Sequence, residues 1–103
     1  MYKVSILYPD QDGAHFDFDY YCRKHMPMVK EKLGSACTAI AVDKGIGGGE
    51  PGTPPPYLAI GYILADDLDA LMAGVAEYGE SFQADVPNYT NIVPLIQVNE
   101  SLI

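Results

Sequence analysis

Apolar residues change their spacing several times along this chain, and each change predicts an element. From Tyr2 to Tyr8 they alternate, with Val4, Ile6 and Tyr8 on one side and Ser5 and Leu7 on the other, which is the period of a strand. Pro9-Asp10-Gln11-Asp12-Gly13 interrupts this as a turn. From Phe16 to Gly34 the spacing lengthens to that of a helix, with Phe18, Tyr21, Met26, Val29 and Leu33 on one face and Cys22 and His25 beside them. Asp17 or Asp19 suits the start of this helix, Lys30 and Lys32 suit its negative end, and Gly34 closes it. Alternation returns at residues 36–44, where Thr38, Ile40 and Val42 oppose Cys37, Ala39 and Ala41. It returns again at 57–64, where Leu58, Ile60, Tyr62 and Leu64 oppose Ala59, Gly61 and Ile63. Asp66 or Asp67 then starts a second helix through Leu68, Leu71, Met72, Val75, Tyr78 and Phe82. Residues 91–98 read as a last strand, in which Pro94 demands an edge position or a bulge.

The order strand, helix, strand, strand, helix, strand predicts an α+β, ferredoxin-like βαββαβ sandwich. It forms one domain spanning residues 1–103, a four-stranded antiparallel sheet with two helices on one face. By bulk, Val4, Ile6, Tyr8, Ile40, Val42, Ile60 and Tyr62 are expected to meet the helices. The opposite face would then carry Ser5, Leu7, Ala39, Ala41, Ala59, Gly61, Ile63, Val93 and Leu95, too apolar to leave in water. A second copy packed sheet against sheet would cover it, which predicts a two-fold homodimer.

Pro27 lies inside the first helical pattern, so a kink or two abutting helices is expected at Met26. His25 stands at that break with Tyr21 one turn before it. It is either a core histidine satisfied by a hydroxyl and a carbonyl, or an ionisable group beside a cavity. Asp10, Asp12, His15 and Asp17 lie close in sequence, but the calcium-loop register fails and a polar turn accounts for them; no metal site is assigned. The glycine- and proline-rich stretch 45–56 runs into three prolines rather than a helix, so it is no phosphate loop. It is either a lid over a pocket or a plain connection.

Charge narrows the partners. The net charge is −8, and four of the six basic residues (Arg23, Lys24, Lys30, Lys32) share one helix. That speaks against nucleic acid and against an anionic membrane surface, and no apolar run reaches spanning length. With Met1-Tyr2-Lys3 leading straight into a strand, no secretory segment is read, and Cys22 and Cys37 are expected as reduced thiols of a cytoplasmic protein.

The segments Lys3-Val4-Ser5-Ile6-Leu7-Tyr8-Pro9, Phe16 to Tyr21 running to His25-Met26-Pro27, and Asp85-Val86-Pro87-Asn88-Tyr89-Thr90 together resemble the EthD family, named for a protein of ethyl tert-butyl ether degradation. Tyr-Tyr followed by His-x-Pro is the most specific part, and the 45–56 stretch matches nothing in it. The resemblance implies a dimeric α/β barrel. Related barrels include cofactor-independent monooxygenases, haem-degrading enzymes, lactone isomerases and polyketide cyclases, several of which hold ligand between helices and sheet. It places His25 and Tyr21 toward that space, with Tyr8 and Tyr62 facing them from the strands and Phe18 and Met26 completing the lining.

Two functions follow. In the first, the protein is an oxidoreductase-like or cyclase- and isomerase-like enzyme on a small hydrophobic or aromatic compound. His25 is its general acid or base, Tyr21 orients His25, and Tyr8 or Tyr62 donates to an oxyanion. No nicotinamide or flavin motif is present, so no organic cofactor is expected, and a single inward histidine is weak support for haem. In the second, the same dimer binds a hydrophobic compound without transforming it and delivers it to a partner oxygenase.

Overall fold

A computed structural model describes all 103 residues. Strands β1 (Tyr2–Pro9), β2 (Ala39–Lys44), β3 (Tyr57–Ala65) and β4 (Leu95–Glu100) form one antiparallel sheet in the order β2-β3-β1-β4. The helical side is built from α1 (Phe18–Tyr20), a π turn (Tyr21–His25), α2 (Met26–Leu33) and α3 (Leu68–Asp85). This is the ferredoxin-like α+β arrangement the periodicity predicts, with the β1 and β3 strands central and β2 and β4 at the edges. No helix is long and apolar enough to cross a membrane.

Both helical segments start on an aspartate. Asp17 accepts from the Tyr20 backbone N–H at 3.0 Å, and Asp67 accepts from that of Ala70 at 3.1 Å. The break before Pro27 is a π turn, closed by the Met26 N–H donating to the Tyr21 carbonyl. Proline has no N–H to offer the preceding turn and its ring crowds the carbonyl four residues back, so the helix widens there. The widening also aligns the two halves. In a regular helix Met26 would stand about 140° around the axis from Tyr21; absorbing one residue brings it back, and Tyr21, His25, Met26, Val29 and Leu33 are all buried. Cys22, expected on that face, is turned out to solvent by the same shift.

The sheet corrects the expectation about its faces. Val4 pairs with Ile63, Ile6 with Gly61 and Tyr8 with Ala59, so these residues share the helix side. On β3 the small residues therefore point inward, and Ile60 and Tyr62 point away from the helices. The reason is volume complementarity: the Tyr21 hydroxyl lies over Gly61, where any side chain would collide with it. Bulk within one strand does not reveal how large the residue opposite is. The outer face accordingly carries Leu7, Leu58, Ile60, Tyr62 and Leu64, half-buried, and Leu95, exposed. The last strand begins after Pro94 and not at Asn91, because the 89–92 segment is first paired with the chain just before α1 through a Phe16–Thr90 bridge.

Helix α3 is lightly packed. Leu71 alone on it is fully buried, while Val75, Tyr78 and Phe82 are partly so. At Gly74 it approaches α2 closely, since a side chain there would press on Leu33. Further along, the separation between α3 and the sheet is not filled.

Candidate functional site

That unfilled space is a cavity of about 390 Å³. Val4, Ile6, Tyr8 and Ile63 form its floor on the sheet; His25 and Val29 border it from the first helical segment. Val75, Phe82, Val86 and Tyr89 close the side of α3 and the turn after it. Val93, Pro94 and Ile96 reach the surface, Val93 and Ile96 being 82% and 62% exposed, so the mouth lies along the edge strand β4. The lining is almost entirely apolar, the usual character of a small-molecule site.

His25 is the one ionisable base among these residues. It is 5% exposed, and its ring lies against Tyr21 (centroids 5.4 Å apart, planes at 12°) and Tyr89 (4.6 Å). Its Nδ1–H donates to Asp85 Oδ2 at 2.9 Å. The Asp85 Oδ1 accepts from the Tyr20 hydroxyl at 2.7 Å and from Asn88 Nδ2 at 2.9 Å. Burial lowers the His25 pKa, outweighing the upward pull of Asp85. Burial pushes Asp85 up, but the bonds from Tyr20, Asn88 and His25 outweigh it and hold the carboxyl below its usual range. At neutral pH the pair is therefore an anionic carboxylate and a neutral imidazole. The hydrogen-bond pattern assigns the proton to Nδ1, which leaves the Nε2 lone pair without a protein partner.

Three buried tyrosines surround this pair. Tyr8 and Tyr89 share a hydroxyl–hydroxyl hydrogen bond of 2.7 Å, and Phe16 packs within 5.4 Å of the rings of Tyr8, Tyr21 and Tyr89. Burial raises the pKa of Tyr8, Tyr21 and Tyr89, so all three stay protonated well into the alkaline range. The Tyr21 hydroxyl is buried with no hydrogen-bond partner.

Of the residues singled out by sequence, His25 and Tyr8 line the cavity. Tyr21 supports His25 through its ring; its hydroxyl lies over Gly61 and does not bond the imidazole. Met26 is fully buried core, and Phe18 packs on Phe16 (4.6 Å) with the Lys44 ammonium 5.2 Å from its ring; neither lines the cavity. Tyr62 lies on the other face of the sheet, under Lys3, and does not meet His25. The 45–56 stretch contributes nothing to the cavity wall.

Asp85, Tyr20, Asn88 and Tyr89 were not singled out as site residues by the sequence. All four lie in the segments that carry the family resemblance, and Asp85 offers one further signal. An acid as the last residue of a helix with no base in its final turn sits against the negative end of the dipole and needs local donors.

Comparison with known proteins agrees with the fold. The EthD domain family matches residues 9–92. An EthD-like protein from Ralstonia eutropha is 40% identical, with a TM-score of 0.94 over 99% of this chain and 92% of its own. An ethyl tert-butyl ether degradation (EthD) family protein from Bacillus halodurans is 20% identical, with a TM-score of 0.72 over 99% of each chain. HapK from Hahella chejuensis, 15% identical, shares the fold at a TM-score of 0.60 over 99% of this chain and 93% of its own. No curated protein matches the sequence.

Proposed function

The chain belongs to the EthD family, and on that premise we propose that it is an enzyme moving a proton on a small hydrophobic or aromatic compound held between its helices and its sheet. The observation that carries this reading is His25 at the wall of an apolar cavity, with Nδ1 held by Asp85 and Nε2 free. A carboxylate behind the imidazole fixes the tautomer and stabilises the imidazolium that forms, so Nε2 acts as general base. The Tyr8–Tyr89 pair has two hydroxyl protons and one shared bond, which leaves one proton for an oxyanion. In this reading the chemistry suits a degradative or secondary-metabolic step near an oxidoreductase. It needs no organic cofactor, and a ligand smaller than haem suits the 390 Å³ space.

The working unit is a homodimer, supported by the apolar outer face of the sheet with Leu7, Ile60, Tyr62 and Leu64. A monomeric mass at micromolar concentration would refute it. A second reading, a dimeric carrier delivering its ligand to a partner oxygenase, draws on the same cavity and on its open mouth beside Val93 and Ile96.

The two are separated by following exchange of the α-hydrogens of enolisable aromatic ketones in D2O by NMR. The enzyme reading expects exchange that falls about 100-fold or more in His25→Ala while ligand binding persists. Binding with no exchange above free imidazole supports the carrier. Equal exchange by His25→Ala and wild type overturns the role of His25.

A further inference from the structure

We infer that the cavity selects ligands by charge: it accepts an uncharged acid, a phenol or enolisable ketone of about two or three fused rings, and rejects carboxylates and phosphates of the same shape. This rests on the general-base reading above and adds to it the class of substrate. Every ionisable or polar group along the lining supports the choice. His25, Tyr8, Tyr89 and Gln83 are the only residues there with polar side chains, and none of them is a lysine or arginine. Behind His25 stands the Asp85 carboxylate. The nearby cations are elsewhere: Lys24 and Lys32 line a separate open groove on the outer side of Asp85, each lying over an aromatic ring at 5.7 and 5.6 Å.

The charge balance of the proton step gives the same answer. With a neutral ligand, an O–H or C–H bond breaks, its electrons stay on the ligand, and the proton goes to Nε2. The products are an anion and an imidazolium, so the site as a whole keeps the single negative charge of Asp85. The anion is stabilised by the imidazolium and by the free hydroxyl proton of the Tyr8–Tyr89 pair. A ligand entering as a carboxylate brings a second negative charge into a space that offers no cation to meet it, and an unpaired buried charge is strongly disfavoured. Size sets the other limit. A cavity of about 390 Å³, at organic packing density, seats about twenty non-hydrogen atoms.

The test uses two probes of nearly equal shape, 2-acetylnaphthalene and 2-naphthoate, with 2-naphthol as a third whose absorbance distinguishes phenol from phenolate. Binding is measured by calorimetry on the full chain at neutral pH. The expected result is binding of both neutral probes and binding of naphthoate weaker by more than about 100-fold. Ile96→Lys places a cation at the exposed mouth on an edge strand, where the fold tolerates it. This variant is expected to narrow the preference for 2-acetylnaphthalene over naphthoate by at least about tenfold, whatever it does to the affinity of either probe alone. Naphthoate binding wild type as well as its neutral partner overturns the inference, as does failure of both neutral probes to bind. The general-base reading fails separately, if both neutral probes bind but wild type exchanges the α-hydrogens of 2-acetylnaphthalene no faster than His25→Ala.

Discussion

Replacing Gly61 with alanine puts a methyl group where the Tyr21 hydroxyl now sits. The strand cannot retreat, because β3 is hydrogen-bonded to β1 on one side and β2 on the other. Tyr21 cannot swing away freely either, since its ring is held between those of Tyr8, Phe16, Tyr89 and His25 at centroid distances of 4.8 to 5.5 Å. Overpacking of this kind costs roughly 2–3 kcal/mol, which for a domain of this size is a fall in melting temperature of roughly 10–20 °C. The same methyl group would be 3.1 Å from Tyr21 Cζ, so removing the hydroxyl relieves most of the collision. Tyr21→Phe alone discards a buried hydroxyl that has no partner and should change stability by less than about 1 kcal/mol. A double-mutant cycle read by urea denaturation should then show Gly61→Ala costing under about 1 kcal/mol in the Tyr21→Phe background, a coupling of about 2 kcal/mol. An equal loss in both backgrounds would refute the placement of Tyr21 over Gly61 and with it the assignment of the strand faces.

Asp85→Asn removes the anion that pulls the His25 pKa upward, so an NMR titration of His25 should show its pKa fall further below the ordinary value; an unchanged pKa would refute the pairing. Tyr8, Tyr21 and Tyr89 have folded pKa values raised above 10, so their contribution is intact below pH 10 and is lost as pH rises beyond it. Melting temperature should therefore fall above about pH 10, less so in Tyr21→Phe. His25 has a folded pKa below 6.5, so stability is full above that pH and declines as pH falls through the folded value. His25→Gln should flatten the melting curve on the acid side of about pH 6.5, and an unchanged slope there would assign it to other groups.

The sequence exposes the fold through features that act locally. Alternation, the two helical stretches and the aspartates at both helix starts are each properties of a few neighbouring residues, and all are found in the structure. What was not legible depends on residues far apart. The direction of Ile60 and Tyr62 is decided by the ring of Tyr21 arriving over Gly61 from another element. The outward turn of Cys22 follows from a π turn whose extra residue a periodicity plot spreads over both halves of the helix. The site shows the same division. His25 is marked by its place beside Pro27, whereas its pairing with Asp85, 60 residues away, becomes visible only when α3 delivers the carboxylate to the same spot.

The arrangement around Asp85 also bears on why His25 is there. The carboxylate already accepts from Tyr20 and Asn88 on one oxygen, and Asn88 is held three residues away by the turn that ends α3. Removing His25 would leave one oxygen open to the outer groove, which Asp85 itself lines, so water can replace the lost bond. The carboxylate thus does not depend on the histidine for its place. The histidine gains from it a single hydrogen bond, against the burial of a polar ring whose other nitrogen has no protein partner. A leucine or phenylalanine would fill the same wall of an apolar cavity at lower cost to stability. On the proposed function, a histidine beside an anion fixed independently of it, at the wall of an apolar cavity, is explained by what enters that space.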